Sequence, residues 1–164
     1  MSTSPVLTPT VFYRDPKAAL AWLEKAFGFE IALLVTDPAG EVGHAEMSFR
    51  GARIGVGGEW SGPQLGEARI LSPASLEGAG TQFIRVELEG GLDDHCAQAR
   101  AAGARITQAP EEQFYGARTY RALDPEGHVW TFSQLTREVP VAEMEAATGL
   151  TIRTSLAPSS DGGL

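Results

Sequence analysis

One cysteine, Cys96, and three histidines are all that this 164-residue chain offers of the residue types that build disulfides and soft metal sites. A single thiol closes no internal disulfide and assembles no cysteine-based zinc site, so Cys96 reads as a small apolar residue on a buried helix face. Basic residues are also scarce, 13 against 21 acidic ones, for a formal net charge of −8. The averaged field repels phosphate backbones and anionic membrane surfaces, which argues against nucleic acid or a membrane as partner. Nowhere do 18 apolar residues run together, and the opening MSTSPVLTPT has neither the basic nor the apolar region of a secretion signal. A cytoplasmic location is the expectation. Gly55-Val56-Gly57-Gly58 lacks the lysine and following helix of a phosphate loop. Three scattered histidines and one cysteine support no Ser-His-Asp or Cys-His arrangement either.

What is present is a globular composition, 43% apolar and 21% charged, at a length suited to one domain. Asp15-Pro16 followed by KAALAWLEKAFG reads as a capped helix stopped by Gly28. Ala19, Trp22, Leu23 and Ala26 form its apolar stripe. From Phe29 the period changes to two, and strict alternation puts Phe29, Ile31, Leu33 and Val35 on one face. Asp37 to Gly40 is turn chemistry. GHAEMSF alternates again, and a further strand begins at Arg53. Gly57 to Gly80 is rich in glycine, with Pro63 and Pro73, and reads as a long connection. FIRVEL, LDDHCAQARAAG, ARITQ, ARTYRAL and HVWTFSQ then repeat the order strand, helix, strand, strand, strand. A shift of 75 residues lays Val11 on Val86 and Gly28 on Gly103, the mark of a duplicated unit. The fold class is therefore α+β, two βαβββ modules with curved mixed sheets around a cavity. Module one spans 7–58, the connection 59–80 and module two 81–135. Together they make one domain over 1–138, followed by a C-terminal helix and tail over 139–164.

Four segments carry a family likeness: VFYRDPKAALAWLEKAFGFE, HAEMSFRGARIGVGG, ARAAGARI and above all YGARTYRALDPEGHVWTF. Over roughly residues 9 to 135 the chain resembles the glyoxalase/bleomycin-resistance branch of the vicinal oxygen chelate superfamily. The resemblance implies a homodimer, with each cavity walled by strands of two modules. It also implies one of two kinds of protein: divalent-metal lyases, isomerases, dioxygenases and thiol transferases, or metal-free binders that sequester small molecules. Fold alone does not choose between them.

The family's enzymes hold the ion with His and Glu side chains on the first and last strands of the modules. In this chain the strand from Leu7 to Tyr13 has neither type. Thr81, Gln82 or Phe83 stands where a histidine is usual, and Thr131 stands four residues after the turn, where the family has a metal-binding Glu. An uncharged hydroxyl is a poor ligand for such an ion. The expectation is no metal cofactor, in keeping with a metal-poor, PhnB-like branch, with one divalent ion on His44, Glu46 and Gln82 as the alternative. His44 and Glu46 share a strand face by alternation.

With the ion set aside, the expected function is binding of a small, partly aromatic molecule in the dimer cavity. The alternative is a metal-dependent enzyme of the same superfamily. In HVWTFSQ alternation separates Thr131 from Trp130 and Phe132, and the resemblance implies that Thr131 faces the cavity while the two aromatics pack beneath the helices. On FIRVEL, Phe83, Arg85 and Glu87 face the cavity. Arg85 either grips a carboxylate or phosphate or is satisfied by Glu87 or Glu46. Tyr115 and Tyr120 offer flat faces with hydroxyl handles at the mouth that the resemblance implies, Arg118 is either a ligand contact or a solvated charge, and Arg121 reads as solvated. Trp60, in the connection, could close over the ligand.

Overall fold

Asp15 and Pro16 open the first helix in the manner anticipated. The Asp15 carboxylate accepts the Ala18 amide at 2.9 Å, Pro16 fills the first helical position where no N–H is needed, and Gly28 closes the helix at φ 73°, a left-handed conformation open to glycine. The computed structural model describes residues 7–156. Its first module consists of β1 (Thr10–Tyr13), α1 (Pro16–Phe27), β2 (Glu30–Thr36), β3 (Val42–Phe49) and β4 (Ala52–Gly58). A connection follows in which β5 (Trp60–Ser61) pairs with β6 (Arg69–Ile70) around one short 3₁₀ turn (Pro63–Leu65), and a second (Pro73–Ser75) comes after β6. The second module consists of β7 (Phe83–Leu88), α2 (Leu92–Ala101), β8 (Arg105–Glu112), β9 (Ala117–Leu123) and β10 (Val129–Leu135), and α3 (Val141–Thr148) comes after it. The tail expected at the C-terminus runs into residues 157–164, which with residues 1–6 of the segment read for a secretion signal lie outside the described residues.

Each module forms one four-stranded sheet, in the order β1-β4-β3-β2 and β7-β10-β9-β8. The outer pairs β1–β4 and β7–β10 are parallel and the rest antiparallel. Val11 and Val86, related by the 75-residue shift, are both buried on the parallel edge strands. The architecture is thus the α+β pair of βαβββ modules expected from the repeat.

The helix sides of the two sheets share one core. Phe27, at the end of α1, lies 5.3 Å ring to ring from Trp130 and 4.7 Å from Phe132 of the second sheet. Phe29 is 5.7 Å from Trp130, and the Trp22 indole donates to the Ala102 carbonyl at 2.8 Å. Neither module alone covers these rings, which is why the unit needs its copy. A second seam runs through Asp124, a buried carboxylate. It accepts the Tyr13 hydroxyl at 2.8 Å, the Trp130 indole at 3.1 Å and the amides of Glu126 and His128, so the charge is fully hydrogen-bonded. Burial, then the Asp124 charge, pushes the Tyr13 hydroxyl well above the ordinary phenol range. Glu126 accepts the amides of Arg14 and Asp15 and the Ser72 hydroxyl. That ties the start of α1 and the connection to the turn before β10.

Strict alternation on β2 is corrected. Ile31 stands opposite Met47, but Leu33 stands opposite Glu46 and Leu34 opposite Ala45, with the register shifting between Ile31 and Leu33. The extra residue of a β-bulge turns the strand over. Ile31 and Leu34 share the helix side with buried Met47 and Ala45, whereas Leu33 and Val35 share the opposite face with Glu46 and His44.

Candidate functional site

The sheet faces turned away from the helices are open, and cross-strand register sorts their side chains into rows. On the second sheet Phe83, Val129 and Leu123 form one row, Arg85, Thr131 and Arg121 the next, and Glu87, Ser133 and Thr119 a third. The first row is apolar, with Phe83 59% exposed. In the middle row the Arg121 Nε donates to the Thr131 Oγ1 at 3.2 Å, and Arg85 lies 3.0 Å from Glu87 in an exposed ion pair. In the third, the Thr119 hydroxyl oxygen accepts the side-chain amides of Gln108 and Gln113, each at 3.0 Å. Thr119, Thr131 and Ser133 are all buried beneath this layer of longer side chains. A face so layered offers an apolar platform, a cationic line and hydrogen-bonding groups in succession.

The open face of the first sheet is built differently. Thr10 and Phe12 of β1 lie over Gly55 and Gly57 of β4. A Cβ on Gly55 would stand 2.5 Å from the Thr10 Oγ1, and one on Gly57 3.1 Å from the Phe12 ring. Both glycines make room for their neighbours' side chains. Glu46 on β3 accepts from Arg53 at 2.8 Å and lies 3.7 Å from the His44 Nε2. Where β1 comes close to the start of β7, the connection folds over to form a pocket of about 240 Å³, open on one side, whose lining includes Thr10, Phe12, Arg69, Gln82 and His128.

These placements decide several sequence readings. Phe83, Arg85 and Thr131 share the open face, while Trp130 and Phe132 are fully buried on the helix side. Arg85 takes Glu87, one of its two expected partners. Tyr120 is not on the open face, because its parity on β9 points it under α2. It is fully buried, and its hydroxyl lies 2.7 Å from the His95 Nδ1. Burial raises this phenol far above its ordinary range. Arg118 shares that parity and is held by both carboxylate oxygens of Asp93 at 2.8 Å, which raises the guanidinium and lowers the carboxyl through their mutual hydrogen bond. It serves the start of α2 and is not on the open face. Tyr115 is in the turn between β8 and β9, edge-on to Phe114 at 5.2 Å, and Trp60 sits on the β5–β6 hairpin opposite Ile70. Both are partly exposed, and neither lines the pocket beneath the connection.

The histidines are spoken for in different ways. The His95 Nε2 is 3.0 Å from the Phe27 carbonyl, which only accepts, so Nε2 carries the proton and Nδ1 accepts from Tyr120. Burial lowers the His95 pKa. The His128 Nε2 donates to the Phe12 carbonyl at 2.7 Å, a backbone bond that reaches across the modules. His44 keeps Glu46, but the Gln82 amide donates to the Thr10 carbonyl at 3.4 Å and lines a cavity that includes neither His44 nor Glu46. The fallback set of three is therefore not brought together.

The fold family implies a divalent ion in many members, and the donor chemistry here does not fit one. The hydroxyl at the family's carboxylate position already accepts from a guanidinium, and a second cation beside Arg121 would meet repulsion. Among the described residues no three His, Cys, Asp or Glu side chains are grouped to hold a metal. Arg121 is the residue that sequence reasoning missed. Counting outward from the Asp124–Gly127 turn pairs Leu123 with Val129 and hence Arg121 with Thr131, a signal present in the sequence.

Comparison with known proteins agrees with this construction. A family-wide sequence model of the Glyoxalase/Bleomycin resistance protein/Dioxygenase superfamily matches residues 6–132. An uncharacterized protein of Mycobacterium bovis is 29% identical over 147 residues, covering 90% of this chain and 94% of the relative. Among solved structures, TioX from Micromonospora sp. ML1 is similar at 26% identity and a TM-score of 0.62, over 80% of this chain and 98% of that one. A glyoxalase/bleomycin resistance protein/dioxygenase family enzyme from Burkholderia phytofirmans PsJN shares the fold at 21% identity and a TM-score of 0.60, over 80% and 99% of the two chains.

Proposed function

The chain belongs to the Glyoxalase/Bleomycin resistance protein/Dioxygenase superfamily, and on that premise we propose that it is a metal-free binding protein for a small, partly aromatic molecule. The ligand lies on the open face of the second sheet, and a second copy of the chain supplies the opposing wall as a homodimer. The observation that carries this reading is the Arg121–Thr131 hydrogen bond. It puts a fixed positive charge and a neutral hydroxyl where a metal enzyme of the family needs a carboxylate. Supporting it, the open faces expose Leu33, Val35 and Phe83 at 44%, 47% and 59%, apolar surface suited to a partner sheet or a flat ligand. No helix among the described residues is long and apolar enough to cross a membrane, and the net charge of −8 disfavours nucleic acid. A cytoplasmic, small-molecule role suits both.

The test is calorimetric titration of chelator-treated protein with a panel of planar aromatic compounds, with and without zinc, nickel, manganese or iron. Saturable binding that is indifferent to added metal is expected. Binding or turnover that appears only with metal would replace this reading by that of a divalent-metal lyase, isomerase or dioxygenase.

A further inference from the structure

The row Arg85, Thr131, Arg121 lies across three adjacent strands, and its chemistry narrows the ligand further than the proposal above, on which it rests. Register places Thr131 directly between the two arginines. With strands about 4.8 Å apart, their backbones stand roughly 10 Å from each other on one face, close enough for two long side chains to meet over the middle residue. Arg121 makes no ion pair among the described residues. Only its Nε is engaged, by Thr131, which fixes the guanidinium plane and leaves the two terminal nitrogens as donors. The Thr131 oxygen accepts that bond, and its own O–H proton, given to no acceptor among the described residues, remains available. Arg85 is tied only to Glu87 in a pair more than half exposed on both sides, a contact cheap to exchange for another carboxylate.

The rows on either side give direction. Beyond the arginines lies the apolar row of Phe83, Val129 and Leu123, and on the other side lies Glu87. An anion held at Thr131 is repelled by Glu87, so the body of its molecule extends over Phe83. We propose that this row binds a carboxylate carried by a flat apolar ligand, with Arg121 gripping it through its terminal nitrogens, Thr131 donating its hydroxyl proton and Arg85 closing from the far strand. The guanidinium occupies the electrostatic role that a metal ion has elsewhere in the superfamily. The carboxylate oxygens meet a fixed cation, and no ion needs to be recruited.

Titration of ¹⁵N-labelled protein with 2-naphthoate and, separately, with 2-naphthamide tests this. Naphthoate is expected to bind at least about tenfold tighter, the worth of a hydrogen bond to a charged group, and to shift the amides of β7, β9 and β10. Arg121→Gln is expected to erase that preference, chiefly by weakening naphthoate, and an amide spectrum of the free variant that matches the wild type away from Arg121 shows that it is folded. Thr131→Val is expected to shrink the preference without erasing it. Equal affinity for the two compounds would overturn the carboxylate inference and leave the binding reading standing. A preference that survives Arg121→Gln, or shifts centred on the cavity beside Arg69, would remove the site from this row. Binding of neither compound at millimolar concentration would overturn the inference and count against the binding reading as well.

Discussion

The two sheets have the same strand order and the same parallel edge, yet their open faces have little in common. The first carries Thr10 and Phe12 over glycines, one Glu46–Arg53 pair, and an edge strand β2 exposed along its whole length with Ile31, Leu33, Leu34 and Val35. The second has side-chain hydrogen bonds in two of its three rows, and its edge strand β8 carries charges and Pro110, features that guard an edge against pairing. The helix sides, by contrast, are equivalent: Val11 and Val86 both enter the common core. Duplication has been kept where the modules meet and abandoned where they face outward. The fold needs both halves for its core, whereas nothing in the core requires the two open faces to match.

The sharpest break of the shared core is Phe27→Ala. It should cost about 3–5 kcal/mol, and urea unfolding should remain a single transition because Phe27 packs on Trp130 and Phe132 of the other module. Two separated transitions would mean that the modules are independent. On the outward faces, the proposed dimer predicts that Leu33→Glu and Phe83→Glu each shift the sedimentation coefficient from dimer toward monomer while leaving the circular dichroism spectrum intact. A variant that stays dimeric excludes its face from the interface.

A smaller effect concerns His95, which α2 places against the end of α1. Burial holds its pKa below the unfolded value of about 6.5, so the folded protein binds fewer protons than the unfolded chain between those two values. Stability from this group is complete above about pH 6.5 and falls as the pH drops below it. Thermal melts from pH 7.5 to 5 should show that loss in the wild type and a flatter dependence in His95→Gln, and identical slopes would contradict the assignment. Smallest of all, Arg85→Ala breaks only the exposed pair with Glu87 and should change stability by less than about 1 kcal/mol. A larger loss in chemical denaturation would show that the second face depends on that pair.

Much of this was legible in the sequence, and what was not has physical reasons. The caps of α1, the 75-residue repeat and the opposite faces of Thr131 and Trp130 follow from residue chemistry and strict periods. β2 misled because EIALLVT is apolar in both registers, so a bulge leaves no mark in its alternation. The run from Ala117 to Leu123 misled for a related reason. Arginines occupy both parities, and only pairing with β10 assigns Tyr120 and Arg118 to the helix side and Arg121 to the open face. The role of Arg121 is a property of a strand pair, which composition and single-strand alternation do not express.

The most direct test of the central claim is elemental analysis of protein purified without chelator and without a histidine tag, counted as metal per chain. Far less than one ion per chain, unchanged after incubation with zinc, nickel, manganese and iron, is the result predicted by a guanidinium at Thr131. Close to one bound ion per chain would contradict it and return the site to the metal enzymes of the superfamily.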